Sequence, residues 1–132
     1  MALVCPDAGE IELLRKQLRV DEDFTLRLYT AISPALGEST VIGHMTEATF
    51  TGYTAKTLTK TSWPTPTTSA GVTSSTYAQQ TWTHGGGAAQ TILGYYVVGV
   101  TSGVLLWAEA FAASRTLNPS DQLQLSPYIE LA

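Results

Sequence analysis

The chain has 132 residues and a formal net charge of −4 at pH 7. This length suits one domain with a single core, and the acidic balance argues against a nucleic-acid-binding surface, which is normally basic. Only 14% of the residues are charged, against roughly 25% in an ordinary soluble domain. Because contact surfaces are depleted in lysine and glutamate, this composition suggests a protein whose surface is partly covered by others, or a β-protein with a hydroxyl-rich surface.

The N-terminal residues carry no sign of export or of disulfide chemistry. Cys5 is the single cysteine, which excludes an internal disulfide and any cysteine-based zinc site, and we expect it to be buried near Leu3 and Val4. The first residues lack the basic head and the long apolar stretch of a signal peptide. Synthesis and assembly in the cytoplasm are therefore expected.

A short apolar arm, residues 1–6, precedes a predicted helix from about Ala8 to Arg19. Asp7 and Glu10 have the spacing of a capping box, in which the side chains of the first turn satisfy free backbone N–H groups. Acidic residues gather at the start of this segment and basic residues at its end, as the helix dipole favours. The apolar stripe consists of Ile11, Leu14 and Leu18.

Strand patterns follow the helix, separated by turn signals. Phe24–Tyr29 alternates cleanly and predicts a half-buried strand, and Glu47–Lys60 is also strand-like. Ile32–Gly43 has the composition of a loop. The proline-rich segment Trp63–Gly71 predicts an exposed loop, because proline cannot donate to a strand ladder.

The second half of the chain continues in the same way. Val72–Thr83 predicts a strand, and the turn that begins at His84 is expected to be exposed. Leu123–Leu131 predicts a last strand, with Pro127 suggesting a sheet edge.

The central feature is a predicted hairpin, with strands at Thr91–Val100 and Val104–Phe111. Both runs are rich in β-branched and aromatic residues, and neither alternates between apolar and polar positions. Since an antiparallel sheet with one solvated face alternates, this hairpin should be covered on both sides. One cover would be the core, and the other a helix, an arm or another subunit. A transmembrane helix is excluded because Gly99, Ser102, Gly103 and Glu109 interrupt the apolar run.

These elements predict a mainly β fold: an antiparallel β-sandwich or jelly-roll-like barrel with a short N-terminal helix. The domain would comprise residues 1–132, with the arm and helix at about 1–20.

Residues that could carry chemistry are few. His44 and Glu47 lie three positions apart, but in a loop leading into a strand, which is a poor metal site. Glu109 lies in the most apolar segment and is expected to pair with an arginine such as Arg115 or Arg27. Trp63, Trp82 and Trp107 lie on separate segments, where packing is more usual than a sugar-stacking platform. No cofactor, metal or catalytic residue is predicted.

Several phrases, taken together and in order, resemble a family of small virion structural proteins of tailed bacteriophages. The resemblance covers most of the chain and is found at Pro6–Glu10, Leu28–Thr30, Thr46–Tyr53, Tyr77–Trp82, Gly94–Val98 and Leu106–Glu109.

This resemblance implies a non-enzymatic capsid cement, or decoration, protein that binds the outer surface of the major capsid protein shell and stabilises the mature head. It implies self-association, commonly as a homotrimer, and a location on the capsid exterior. Neither nucleic acid nor a membrane is an expected partner. The alternatives are a phage tail or neck protein and a carbohydrate-binding β-sandwich module. The residues predicted to make contacts outside the subunit are Leu3, Val4, Ile11, Leu14, Leu18, Trp63, Pro64, Tyr95 and Val97.

Overall fold

A computed structural model describes residues 3–131 of the chain and consists mainly of antiparallel β-strands. The predicted helix is present as α1, Asp7–Lys16, and a π-helical turn extends it over Gln17–Asp21. The first two residues of the predicted arm lie outside the described residues. The predicted capping box is wrong: Pro6 occupies the N-cap position, and no side chain caps the helix. The Glu10 carboxylate instead accepts a hydrogen bond from the Thr73 hydroxyl at 2.9 Å.

In the described part of the chain, ten strands follow the helix, and all of their pairings are antiparallel. In chain order they are β1 (Phe24–Ile32), β2 (Met45–Glu47), β3 (Lys56–Leu58), β4 (Thr67–Ser69), β5 (Val72–Thr76), β6 (Gln80–Thr83), β7 (Gln90–Gly99), β8 (Leu105–Leu117), β9 (Gln122–Leu125) and β10 (Tyr128–Leu131).

The largest sheet is built around β1 and β7, which pair along Phe24–Tyr29. On the other edge of β1, its first half pairs with β3 and its second half with β2, while β8 forms the opposite edge of the sheet beside β7. Strands β4, β5 and β10 form a second sheet, and β6 pairs with β9. The predicted central hairpin is therefore confirmed and consists of β7 and β8. The alternating strand predicted at Phe24–Tyr29 is also confirmed and forms the first part of β1.

Apolar side chains cover β7 on both faces, as its sequence predicts. On the inner face, Tyr95 and Val97 belong to the main core, which also receives side chains from α1 and from the two smaller sheets. This arrangement is consistent with a β-sandwich. On the outer face, Tyr96 and Val98 form a second cluster with Tyr29 and Met45. Each of these four side chains is at most 9% exposed, so this part of the outer face is buried within the single chain. Strand β8 is less well covered, because most of it is half-buried or exposed.

Three predicted strands are interrupted. The segment Glu47–Lys60 contains only the last residue of β2 and the short strand β3, and between them the chain turns at Gly52, which has φ +89°. A side chain at Gly52 would lie 2.6 Å from the Thr83 carbonyl oxygen, so the turn requires glycine. Val72–Thr83 is divided between β5 and β6, which belong to different sheets. The predicted last strand breaks before Tyr128 and gives β9 and β10.

Trp63 and His84 were both expected on the surface, and both are buried. Trp63 packs into the core even though a proline follows it. The His84 ring stacks on Phe50, with ring centroids 5.3 Å apart. The Gly86 N–H donates to His84 Nδ1 at 3.1 Å, while Nε2 lies 2.9 Å from the Ala88 carbonyl oxygen. Conversely, Cys5 was expected to be buried and is exposed.

Candidate interaction surface

Exposed apolar side chains concentrate where the β1–β2 connection meets the β7–β8 turn. We call this region the loop–turn surface and define it by Leu36, Val41, Ile42 and Val104. Each of these side chains is between 38% and 54% exposed. Two adjoining grooves of about 340 and 490 Å³ run across the region, and both are lined by Thr40 and Leu105. Exposed apolar side chains gathered in this way, on a chain with few charges, are typical of a protein–protein contact.

Local hydrogen bonds shape the loop that carries three of these residues. The Ser33 N–H donates to the His44 carbonyl at 3.0 Å, which closes the base of the loop. Within the loop, the Thr40 N–H donates to the Gly37 carbonyl at 3.1 Å, and the Gly37 N–H donates to the Thr40 hydroxyl at 2.9 Å. These bonds satisfy backbone groups that would otherwise need water, so the apolar side chains are presented on an ordered loop.

The Glu22 carboxylate fixes the β7–β8 turn that carries Val104. Its Oε1 atom accepts hydrogen bonds from the Thr101 N–H at 3.0 Å and from the Ser102 N–H at 3.1 Å. The Ser102 hydroxyl donates to the same oxygen at 3.2 Å. Gly99 permits this approach, since a side chain there would collide with the Glu22 carboxylate. The end of the helical segment is thereby tied to the hairpin.

These bonds should make the stability of the hairpin depend on pH. The Ser102 N–H, followed by the other donors, lowers the pKa of Glu22 below its ordinary value of 4.5. A carboxyl group with a lower pKa in the folded state stabilises the fold above pH 4.5, and this contribution is lost as the pH falls through the folded-state pKa. We therefore expect the thermal midpoint of the wild type to fall more steeply below pH 4.5 than that of Glu22→Gln.

Circular dichroism melts across this pH range measure the effect. Glu38→Gln is the matched control, because the Glu38 carboxylate accepts no hydrogen bond from any residue in the range 3–131. Its curve should run parallel to that of the wild type. Parallel curves for the wild type and Glu22→Gln would show that the carboxylate does not hold the turn.

The structure separates the contact residues predicted from the sequence into two groups. Leu3, Val4 and Pro64 are exposed and Ile11 is half-buried, so these four remain available to a partner. The other five lie in the core of their own subunit and have almost no surface to offer. These five are Leu14, Leu18, Trp63, Tyr95 and Val97.

Sequence reasoning missed the loop–turn surface. It assigned the Ile32–Gly43 segment to a loop but attached no meaning to the apolar residues in it. Exposed loops are usually polar, so Leu36, Val41 and Ile42 in one loop were the available signal. Val104 was assigned to a covered strand, but it lies just before β8 and is exposed.

Glu109 does not pair with an arginine as predicted. The Tyr95 hydroxyl donates to Glu109 Oε2 at 2.8 Å, whereas Arg27 pairs with Glu47 at 3.3 Å. Burial, and then the nearby Glu109 carboxylate, raise the pKa of Tyr95, so the tyrosine remains a neutral donor. The described residues contain no group of three or more histidine, cysteine, aspartate or glutamate side chains placed to hold a metal ion.

The tryptophans do not form a common exposed platform. Trp63 and Trp82 are each 1% exposed, and the Trp82 indole N–H donates to the Thr54 carbonyl at 2.8 Å. Trp107 is half-buried, with its ring centroid 6.2 Å from that of Trp63. The sugar-stacking face that a carbohydrate-binding module would need is therefore not formed by these residues.

The chain matches no protein-family model, and it has no significant match among curated proteins. Over residues 3–131, no helix is long and apolar enough to span a membrane.

Proposed function

We propose that the chain is a structural protein of a tailed-phage virion, which binds the outer surface of the major capsid protein shell and stabilises the mature head. The observation that carries this proposal is the loop–turn surface. It exposes four large aliphatic side chains on a chain of which only 14% is charged. The resemblance of sequence phrases to small virion proteins supports the same assignment.

The stabilising mechanism would be thermodynamic. A protein that binds the assembled shell but not its dissociated subunits shifts the equilibrium toward the shell. At a free concentration one hundred times the dissociation constant, each site contributes about 2.7 kcal/mol. Many copies on one head would together oppose the outward pressure of packaged DNA. This role requires only binding, for which an apolar contact surface is sufficient and no catalytic group is needed.

Replacing Val41 and Val104 by aspartate should abolish or greatly weaken binding to heads. Full burial of a valine side chain is worth about 1.5–3 kcal/mol, but each of these valines is already about half buried in the free protein. Since each tenfold change in affinity corresponds to about 1.4 kcal/mol, we expect the double variant to bind at least about tenfold more weakly. Co-sedimentation of the purified protein with undecorated heads measures this affinity.

Leu13→Asp is the matched control, because Leu13 is 59% exposed on α1 and is not part of the loop–turn surface. It should bind as the wild type does. Equal loss of binding in the control and the double variant would indicate a general effect of added charge. Binding of the chain to tails and not to heads would favour a tail or neck protein.

We further propose that the protein is a homotrimer, since cement proteins cover joints where several capsid subunits meet. Light scattering of the purified protein should then give three times the chain mass of 14.1 kDa. Val41→Asp/Val104→Asp should remain trimeric if its defect lies in capsid binding alone. A monomer across the accessible concentration range would contradict self-association in solution.

A further inference from the structure

Within residues 3–131, the outer edge of β8 has no strand beside it. β8 pairs with β7 along one edge only. Among the described residues, no backbone N–H or C=O group of β8 forms a hydrogen bond with the backbone of any segment other than β7. Its register with β7 shifts twice: at Leu106, and between Ala110 and Arg115, where Phe111–Ser114 depart from regular pairing. The regular part of the free edge is therefore Trp107–Ala110. Such an edge presents unpaired N–H and C=O groups that can accept another strand.

A groove lies on each side of this edge. One, of about 490 Å³, separates Leu105–Ala108 from the β1–β2 connection at Leu36–Thr40. The other, of about 310 Å³, separates Trp107–Glu109 from β10 at Tyr128–Glu130. Side chains of an added strand would point alternately to its two faces. The edge therefore has space on both sides for the side chains of an extended segment.

The charged side chains that line these two grooves are all acidic. Glu38 lines the first groove, and Glu109 and Glu130 line the second. None of the described residues that line either groove is a lysine, arginine or histidine. Direct pairing of two such edges would bring like charges together, which destabilises cross-strand pairs. A second copy of this edge is thus a poor occupant, and a basic segment is a good one.

We propose that Trp107–Ala110 is a strand-addition site for an extended segment of a different polypeptide. This segment would carry lysine or arginine among apolar residues on both of its faces. Its backbone would continue the sheet beyond β8. Its basic side chains would lie near Glu109 and Glu130 on one face and near Glu38 on the other. The proposal names a contact for the virion partner and in that sense rests on the proposed function, although it is tested on the isolated protein.

The probe is a short capped peptide of sequence Val-Lys-Val-Thr-Lys-Val-Thr, which carries one lysine on each face when extended. We expect it to bind and to slow amide hydrogen exchange at alternate residues of Trp107–Ala110. Binding should weaken as salt is added, because the charges concerned are partly exposed. A peptide with both lysines replaced by glutamate should bind at least about tenfold more weakly, the equivalent of about 1.4 kcal/mol.

Two controls separate strand addition from general charge attraction. The lysine peptide with N-methyl groups on alternate residues keeps its charge but cannot complete the ladder, so it should not protect β8. The variant Glu38→Gln/Glu109→Gln/Glu130→Gln should lose affinity for the lysine peptide, whereas Glu12→Gln, which removes a carboxylate from α1, should not.

Absence of binding, equal binding of the N-methylated peptide, or protection of residues outside β8 would each overturn the proposal. The two proposals can fail separately. Heads that bind the protein while the peptide does not would remove only the strand-addition site. A peptide that protects β8 while heads fail to bind would remove only the capsid assignment.

Discussion

Trp63→Ala should lower the free energy of unfolding by about 3–5 kcal/mol, the range observed when a buried tryptophan or phenylalanine is truncated. Trp63 is 1% exposed and lies at the centre of an aromatic group. Its ring centroid is 5.0 Å from that of Tyr77 and 6.1 Å from that of Phe24. Removing the indole would leave a cavity that these neighbours, held on separate elements, cannot fill. Chemical denaturation followed by circular dichroism measures the loss.

Pro64→Ala is the matched control for this experiment. Pro64 is exposed, and its carbonyl oxygen accepts a hydrogen bond from the Ser75 hydroxyl at 2.8 Å, a bond that does not depend on the side chain. Its stability should change by less than about 1 kcal/mol. A Trp63→Ala protein of normal stability that no longer bound heads would show that Trp63 is a contact residue after all.

Gly94→Ala should destabilise the central sheet by about 3 kcal/mol, at the upper end of the cost of overpacking a well-filled site. Gly94 on β7 lies opposite Tyr29 on β1 and Ala110 on β8. A methyl group there would collide with the Glu109 carbonyl oxygen and would lie 2.7 Å from the Tyr29 hydroxyl oxygen. Because one obstacle is backbone in the neighbouring strand, a side-chain rotation cannot relieve the contact. The thermal midpoint and the denaturant midpoint should both fall.

Gly43→Ala controls for the general effect of replacing glycine. No atom lies within 4 Å of the position that its side chain would occupy. The substitution should change the free energy of unfolding by less than about 1 kcal/mol. Equal stability of the two variants would mean that β1, β7 and β8 can separate more readily than their packing around Gly94 indicates.

The sequence predicted those elements whose pattern follows directly from local physics. The helix has an apolar stripe and ordered charges, β1 alternates, and the lack of alternation in β7 reflects burial on both faces. These features depend on neighbours along the chain or on the average environment of a strand. The mainly β, antiparallel fold could therefore be predicted from them.

The remaining features depend on contacts between distant segments. The proline after Trp63 correctly excludes a central strand, but it does not determine the direction of the indole. The position of Trp63 depends on distant residues: Arg19, 44 positions away in the chain, donates a hydrogen bond to the Trp63 carbonyl at 2.7 Å. His84 likewise has the local sequence of an exposed turn, yet Phe50 covers it. Both residues were placed wrongly for the same reason: burial was inferred from the local segment alone.

The candidate contact residues show the same limit. Periodicity identifies apolar residues but does not tell which of them face the core and which face a partner. Leu14 and Leu18 on α1 proved to be core residues, whereas Leu13 beside them is exposed. The loop–turn surface required the fold itself, because the β1–β2 connection and the β7–β8 turn are far apart in the chain. Only tertiary structure brings Val41 close to Val104.

A cryo-electron microscopy map of intact phage particles shown by mass spectrometry to contain this chain would test the virion assignment most directly. We expect density for the β7–β8 sheet on the outside of the shell, at joints between capsomers, with the loop–turn surface against the major capsid protein. Density for the chain in the tail or neck, with none on the capsid exterior, would contradict it.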